Sequence, residues 1–281
     1  MRRPLTLTLL AVAALAMPSG VASAAQPPYV AVSVATKNGT LIGPIAVRAK
    51  EVRVRVSGKR CTVAAGTPLA ALVALKSAAK RPPKVGTIRL RDYAACGKRP
   101  SSSSRLYLTG IGADRERAPD GWIYEVNGKG GTTSAADPLG PFGRGRLEKH
   151  ATVNWRWCRI SEDPEGDCGD TLAIGKIVAR VTRGGDTPVP SPTVMGTEYT
   201  VPVQLRTGAN GDANGISAPA PVGTVVDLVA PTGAVIVSGT VGAGGVAVME
   251  TTTVVPPTAR FIARGATGVA PAGKLLAFPA S

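Results

Sequence analysis

Four aromatic side chains carry the most suggestive chemistry in the sequence. Trp122 and Tyr124 alternate along one predicted strand, and Trp155 and Trp157 alternate along another. Alternate residues of a strand point to the same face, so neighbouring strands would bring the four rings together. Such a cluster can stack on a sugar or a planar ligand, and the alternative is a hydrophobic core. The ligand-binding candidates are these four residues and Asn127, which begins the Asn-Gly turn after the first strand.

The basic residues of the chain are concentrated in one segment. The whole chain has a formal charge of +15, and residues 26–105 contain 16 Lys and Arg against only Glu51 and Asp92. Valine and arginine alternate over 52–56, which predicts a strand with buried valines and arginines in water. The anion-binding candidates are Arg53, Arg55, Lys59 and Arg60.

Two interpretations of this charge stay open. One is a solvated strand face, and the other is an anionic partner such as wall polymer, acidic glycan or nucleic acid. Specific nucleic-acid recognition is not expected, because the segment offers only Tyr29 and Tyr93 for stacking and no recognition helix. We therefore expect any partner to be an anionic cell-wall polymer or glycan.

The sequence gives little support to catalysis or to a metal centre. His150 is the one histidine, and no Gly-x-Ser-x-Gly motif accompanies it. We interpret it as a polar turn residue, with a hydrolase as the alternative. Carboxylates that could bind calcium occur in two places, at Asp163, Glu165, Asp167 and Asp170 and in the loop 210–215. We interpret both places as solvated loops. We predict no enzymatic activity, no metal and no cofactor.

The N-terminus and the cysteines indicate export. Arg2 and Arg3 precede an apolar stretch over 5–17, and Ala22-Ser23-Ala24 offers a cleavage site, which predicts a signal peptide over 1–25. No membrane span is expected in the mature chain, which we expect to be secreted, extracellular or associated with the cell wall. An even number of cysteines in an exported chain predicts disulfides. We favour Cys61–Cys96 and Cys158–Cys168, because each pair closes a local loop.

The pattern of strands and turns predicts a mostly β protein with one main helix. Thr67 is a suitable N-cap, Pro68 suits the first helical position, and the helix must end before Pro82. The domains predicted are 26–184 and 185–281, separated where proline becomes frequent. The predicted strands are 29–36, 42–48, 52–56, 61–65, 86–91, 106–111, 121–127, 151–158, 171–182, 199–207, 223–228, 234–237, 246–253, 259–264 and 275–278.

Several segments of the N-terminal domain resemble a known family. The sequence Gly-Trp-Ile-Tyr-Glu-Val-Asn-Gly over 121–128, the strand 151–157 and the upstream helix are similar to the transcobalamin C-terminal-like family. The Gly-rich loop over 131–143 and the pair Cys158 and Cys168 resemble an exported branch of that family. The resemblance implies a β-grasp-like α+β domain, related to soluble-ligand-binding modules, with no known enzymatic activity. Two departures are Lys149-His150, where the family has a Gly-Asp turn, and the lack of a large helical domain for corrinoid capture.

The C-terminal part is similar to bacterial immunoglobulin-like repeats. Its short strands, separated by Gly and Pro turns, predict a β-sandwich. Together the two resemblances predict a secreted, non-catalytic binding or cell-surface interaction protein whose basic N-terminal domain associates with an anionic polymer. The alternative is a carrier of a small ligand, a glycan or a cofactor, that uses the aromatic cluster.

Overall fold

The computed structural model describes residues 26–158, 168–183, 195–207, 216–266 and 269–277. Several predictions lie outside these residues: the signal peptide, the acidic loop over 161–167 and the proline-rich boundary over 184–194. The loop 210–215 also lies outside them. The described part is mostly β, as predicted, with one α-helix.

The elements of the N-terminal unit, residues 26–158, agree closely with the predicted strands and helix. In chain order they are β1 Tyr29–Ala35, β2 Leu41–Arg48, β3 Val52–Val56, β4 Lys59–Val63, α1 Pro68–Ala78, β5 Ile88–Asp92, a 3₁₀ turn Pro100–Ser103, β6 Leu106–Ile111, β7 Asp114–Arg115, β8 Gly121–Val126, β9 Lys129–Gly130 and β10 Thr152–Cys158.

The C-terminal unit, from residue 168 onwards, differs more from the prediction. Its strands are β11 Thr171–Ile174, β12 Val178–Arg183, β13 Met195–Thr207, β14 Ile216–Pro219, β15 Val225–Val229, β16 Val235–Thr240, β17 Val246–Thr251, β18 Arg260–Arg264 and β19 Ala272–Leu275. The strand predicted over 171–182 is interrupted at Gly175, whose N–H donates to Pro202 O at 2.8 Å. Both resulting strands pair with β13.

The main sheet of the N-terminal unit has the order β2-β1-β10-β8-β9. β1 and β10 are parallel, and the other neighbours are antiparallel. Val30, Val32 and Val34 of β1 face the main core, which α1 covers with its buried leucines. The helix begins where predicted, because Thr67 Oγ1 accepts the Ala70 N–H at 3.3 Å and Pro68 occupies the first turn.

Two smaller sheets complete this unit. β3 and β4 form a hairpin, and β5, β6 and β7 form a three-stranded sheet. The predicted cysteine pairing is confirmed, since Cys61 of β4 is bonded to Cys96, and Cys158 at the end of β10 is bonded to Cys168. The first disulfide fixes the hairpin to the chain that follows β5, and the second joins the end of the main sheet to the start of the C-terminal unit.

The C-terminal unit is organised around the long strand β13. Its first half pairs with β12 and β17, and its second half pairs with β11 and β14. The strands β16-β15-β18-β19 form a second sheet. One core lies between these strands, in which Tyr199 of β13 and Phe261 of β18 stack edge to face with centroids 5.4 Å apart.

The two units are in contact through the second face of the main sheet. Ala31, Ser33 and Ala35 point away from the α1 side, yet all three are buried. Strand β19 lies against β1 and β2, with Gly273 against Pro44. The main sheet is therefore covered on both faces. Among the described residues, no helix is long and apolar enough to cross a membrane.

Candidate functional site

The aromatic cluster forms as the alternation predicts. Strands β8 and β10 are neighbours, and their register places Trp122 opposite Trp157 and Tyr124 opposite Trp155. The two indoles meet edge to face with centroids 5.5 Å apart, and the Tyr124 and Trp155 rings lie 5.3 Å apart. Both distances lie in the range of favourable aromatic pairs.

All four rings belong to the main core. Trp155 is 1% exposed and Trp157 is 9% exposed, and Trp122 and Tyr124 are buried as well. The Trp122 indole N–H donates to Asp114 O at 3.3 Å. Because their faces are covered by protein, the rings cannot serve together as a stacking platform for a ligand. Of the four, Trp157 alone borders the cleft described below.

Asn127, the remaining ligand-binding candidate, is a turn residue. Its φ of 52° places it in the left-handed region, and its side-chain Oδ1 accepts the Thr152 N–H at 2.8 Å. Asparagine tolerates this backbone conformation better than most residues. Its described contacts therefore join β8 to the start of β10.

Tyr124 fixes the Gly-rich loop to the sheet. Its hydroxyl donates to Thr133 O at 2.8 Å and lies 3.3 Å from Pro141 O. A Cβ at Gly131 would lie 2.0 Å from the Tyr124 ring, so only glycine allows this approach. Burial raises the pKa of Tyr124 to about 12.

This pKa predicts that Tyr124 weakens the fold at high pH. The unfolded tyrosine ionises near pH 10, whereas the folded one stays neutral to about pH 12, so the unfolded state gains stability as the pH rises. Between these values the loss is up to about 1.4 kcal/mol per pH unit. The check is the urea midpoint at about pH 9 and pH 11, for the mature chain and for Tyr124→Phe. The phenylalanine variant should lose less stability over this interval, and equal losses in both chains would exclude this assignment.

A buried ion pair occupies the opposite face of the same sheet. Arg156 Nε donates to Glu125 Oε1 at 3.0 Å, and Arg156 Nη1 donates to Gly169 O at 3.2 Å. The side chains of Arg156 and Glu125 are only 5% and 8% exposed. Beside them, Ser33 Oγ donates to Asn154 Oδ1 at 2.7 Å. This polar layer lies on the covered side of the sheet and links it to the first residues of the C-terminal unit.

The basic candidates lie on the β3–β4 hairpin. Its valines face the main core, while Arg53, Arg55 and Arg60 are exposed. Arg55 lies directly opposite Arg60, and Arg53 lies opposite Thr62. These three arginines therefore share the outer face of the hairpin. Lys59 is opposite Val56 beside the turn and is also exposed.

The charges of this cationic hairpin (Arg53, Arg55, Lys59 and Arg60) are not compensated within the described part of the chain. The ion pairs found there involve Arg156 and Arg264, and neither is on the hairpin. Like charges directly opposite each other on two strands are destabilising. The Thr62 N–H donates to Gly97 O at 2.9 Å, so the exposed Lys98 and Arg99 follow beside the same hairpin and extend its positive surface.

A cleft lies where the two units meet. Its volume is about 600 Å³, and its walls come from the β1–β2 turn, the end of β10, the residues after Cys168 and the described residues between β18 and β19. Lys37, Trp157, Asp170 and Arg264 line it. Of these, only Trp157 is among the residues that the sequence selected as binding candidates.

The remaining candidates are His150 and the acidic loops. His150 is exposed and has a φ of 67°, in the turn that leads into β10. Asp163, Glu165 and Asp167 lie outside the described residues, as does the loop 210–215. Within the described ranges, no group of three or more potential metal ligands occurs.

Comparison with known proteins adds no relative. No protein-family model matches the chain, and neither a curated protein nor a solved structure matches it.

Sequence reasoning missed the two arrangements that depend on contacts between the units. Alternation along β10 does predict that Arg156 points to the other face of the sheet from Trp155 and Trp157. That this side is buried could not be predicted from β10 alone, because Arg156 contacts Gly169 beyond the described end of β10 and β19 lies over the neighbouring strands β1 and β2. Lys37 and Arg264 also line the cleft from segments that are far apart in the sequence.

Proposed function

We propose that this chain is an exported, non-catalytic binding protein that attaches to an anionic wall polymer or acidic glycan through the cationic hairpin. The observation that carries the proposal is the register of β3 and β4, which places three exposed arginines on one outer face. No described carboxylate neutralises them. An anionic polymer would supply the missing charges.

The energetics favour a polymer over a single small anion. Each exposed charge contact contributes only a fraction of a kcal/mol to about 1 kcal/mol, so affinity requires several contacts at once. The hairpin, Lys98 and Arg99 offer a row of such contacts, and 14 of the 16 basic residues over 26–105 are exposed. A repeating anion can engage many of them together. Without a partner, the placement of Arg55 opposite Arg60 would only lower the stability of the hairpin.

The proposal includes the family assignments made from the sequence. The strand order of the main sheet, with β1 and β10 parallel at its centre and α1 against one face, supports a β-grasp domain of the transcobalamin C-terminal-like kind. The antiparallel strands around one core support an immunoglobulin-like C-terminal domain. The two disulfides support export, because such bonds persist in oxidising compartments.

A retention experiment tests this function. The chain from residue 26 onwards is applied at low salt to a column carrying polygalacturonate and to a matched column carrying uncharged dextran. We expect retention on the charged polymer only, with elution as the salt approaches about 0.5 M, where screening acts within a few ångströms. Passage through both columns, or equal retention on both, would overturn the proposal.

A further inference from the structure

Two exposed tyrosines lie against each other on the three-stranded sheet of the N-terminal unit. Tyr93 follows β5 and is 58% exposed, and Tyr107 of β6 is 40% exposed. Their ring centroids are 6.2 Å apart, and their planes meet at 68°. Among the described residues, the other tyrosines and all tryptophans and phenylalanines are buried or half-buried. The tyrosine pair (Tyr93 and Tyr107) is therefore where the described chain offers exposed aromatic surface to a partner.

The backbone around Tyr93 is held in place on both sides. The Tyr93 N–H donates to Arg105 O at 3.3 Å, which joins it to the residue before β6. The carboxylate of Asp92 accepts the Cys96 N–H at 3.0 Å, and Cys96 is bonded to Cys61 of the β3–β4 hairpin. A surface that is already ordered loses less conformational entropy when a ligand binds. The tyrosine pair is thus preorganised, and a disulfide connects its segment to the cationic hairpin.

Two exposed arginines accompany the tyrosine pair. Arg91 of β5 lies directly opposite Tyr107, and its guanidinium carbon is 5.5 Å from the centroid of the Tyr93 ring. Arg91 and Arg105 are exposed, and neither forms an ion pair within the described part of the chain. Burial, and after it the neighbouring Glu116 carboxylate, raise the pKa of Tyr107. Two cations and one carboxylate thus surround the rings, and the cations can donate to an anionic ligand.

We infer that the tyrosine pair binds a sugar ring of the acidic polymer, which makes the polymer a polysaccharide that contains uronate residues. The apolar C–H face of one pyranose ring would lie against the exposed tyrosine surface, because both surfaces leave water together. Its carboxylate would accept from the guanidinium of Arg91, whose forked donors match a carboxylate. The inference rests on the proposed function, since it names the class of polymer that the cationic hairpin attracts.

The geometry of the tyrosine pair favours a sugar over the other polyanions. The cationic hairpin attracts any polyanion, so charge does not select among them. A polyphosphate chain has no apolar face to place on the rings. Single-stranded nucleic acid stacks successive bases on aromatic side chains, but the angle of 68° between the two ring planes leaves no parallel faces for this. A pyranose ring, with an apolar face and a polar edge, fits the corner that the two rings form.

Calorimetry of the mature chain with polygalacturonate, inorganic polyphosphate and oligothymidylate tests the inference. The salt concentration is about 0.15 M, where screening weakens charge contacts beyond about 8 Å. The decisive variant is Tyr93→Thr with Tyr107→Thr, which removes both rings and keeps residues that suit a strand. It should bind polygalacturonate about fivefold or more weakly than the parent chain, and polyphosphate within about twofold. Tyr93→Phe with Tyr107→Phe keeps both rings and should stay within about twofold for both polymers. Val248→Thr, at an exposed position of β17, is the control and should change neither affinity.

The outcomes separate the tyrosine pair from the cationic hairpin. If the threonine variant binds polygalacturonate as tightly as the parent chain, or loses polygalacturonate and polyphosphate equally, the inference is wrong, while the proposed function still stands on the hairpin arginines. A larger loss for oligothymidylate than for polygalacturonate would also overturn the inference and assign the rings to nucleic-acid bases. A parent chain that binds neither polygalacturonate nor polyphosphate would overturn the proposed function, and the inference with it.

Discussion

Replacing Arg156 by leucine should lower the free energy of unfolding by about 3–5 kcal/mol, because it leaves the buried carboxylate of Glu125 without its partner. The guanidinium also donates to Gly169 O, so the contact between the main sheet and the C-terminal unit weakens as well. Urea unfolding of the mature chain, followed by circular dichroism, measures the effect.

A double variant distinguishes charge burial from packing. Arg156→Leu with Glu125→Leu removes both charges, and exchange of a buried ion pair for apolar residues is often neutral or stabilising. We expect the double variant to recover most of the stability that the single variant loses. The control is Arg144→Leu at an exposed loop position, which should change stability by less than about 0.5 kcal/mol. A single variant as stable as this control would show that the pair is not buried as described.

Replacing Trp155 by alanine should also destabilise the N-terminal unit by about 3–5 kcal/mol. The residue is 1% exposed, it lies on the central strand β10, and its ring is 5.3 Å from that of Tyr124. Part of the loss is the cavity that remains, since the surrounding strands can collapse only partly. Thermal unfolding should report it as a decrease in Tm.

The matched control for Trp155→Ala is Tyr107→Ala. Tyr107 is an aromatic residue of β6 that is 40% exposed, so its removal should cost much less. If Trp155→Ala were no more harmful than this control, the aromatic cluster would not belong to the core. The sugar-binding interpretation of the four rings would then need to be reopened.

Local sequence signals were sufficient for most of the N-terminal unit. The helix could be placed because Thr67 and Pro68 mark its start and Pro82 forces its end. Most strands of this unit could be placed because each has alternation or an apolar run between turn residues, whereas the two-residue strands β7 and β9 have neither and were not predicted. Alternation over 52–56 assigned the valines to the core and the arginines to water, whereas the pairing of β3 with β4 came only from the structure.

The C-terminal unit was harder because its strands are short and uniformly rich in small apolar residues. The pattern did not identify β14, and it extended one strand across Gly175. β13 exchanges partners near Pro202, and such an exchange depends on tertiary pairing rather than on local propensity. Periodicity within one strand contains no information about which distant strand will pair with it.

The candidate sites show the same limit. Charge asymmetry located the cationic hairpin, and alternation brought the four rings together, but neither could say what covers a face. The rings are buried in the main core, where Tyr124 also contacts the Gly-rich loop, and Arg156 is buried beside Gly169. The cleft needs four separate chain segments, so no local pattern could have predicted it.

The most direct test of the central claim compares two variants with identical net charge. Arg53, Arg55 and Arg60 are replaced by glutamine in one, and Lys129, Arg144 and Lys149, which are exposed elsewhere, are replaced in the other. Affinity for polygalacturonate is measured between about 0.05 and 0.5 M salt. Loss of three contacts should weaken binding about tenfold or more at low salt and lower the slope of log K against log salt by roughly 2. The second variant should stay within about twofold of the parent chain, and equal weakening of both variants would contradict a role for the hairpin.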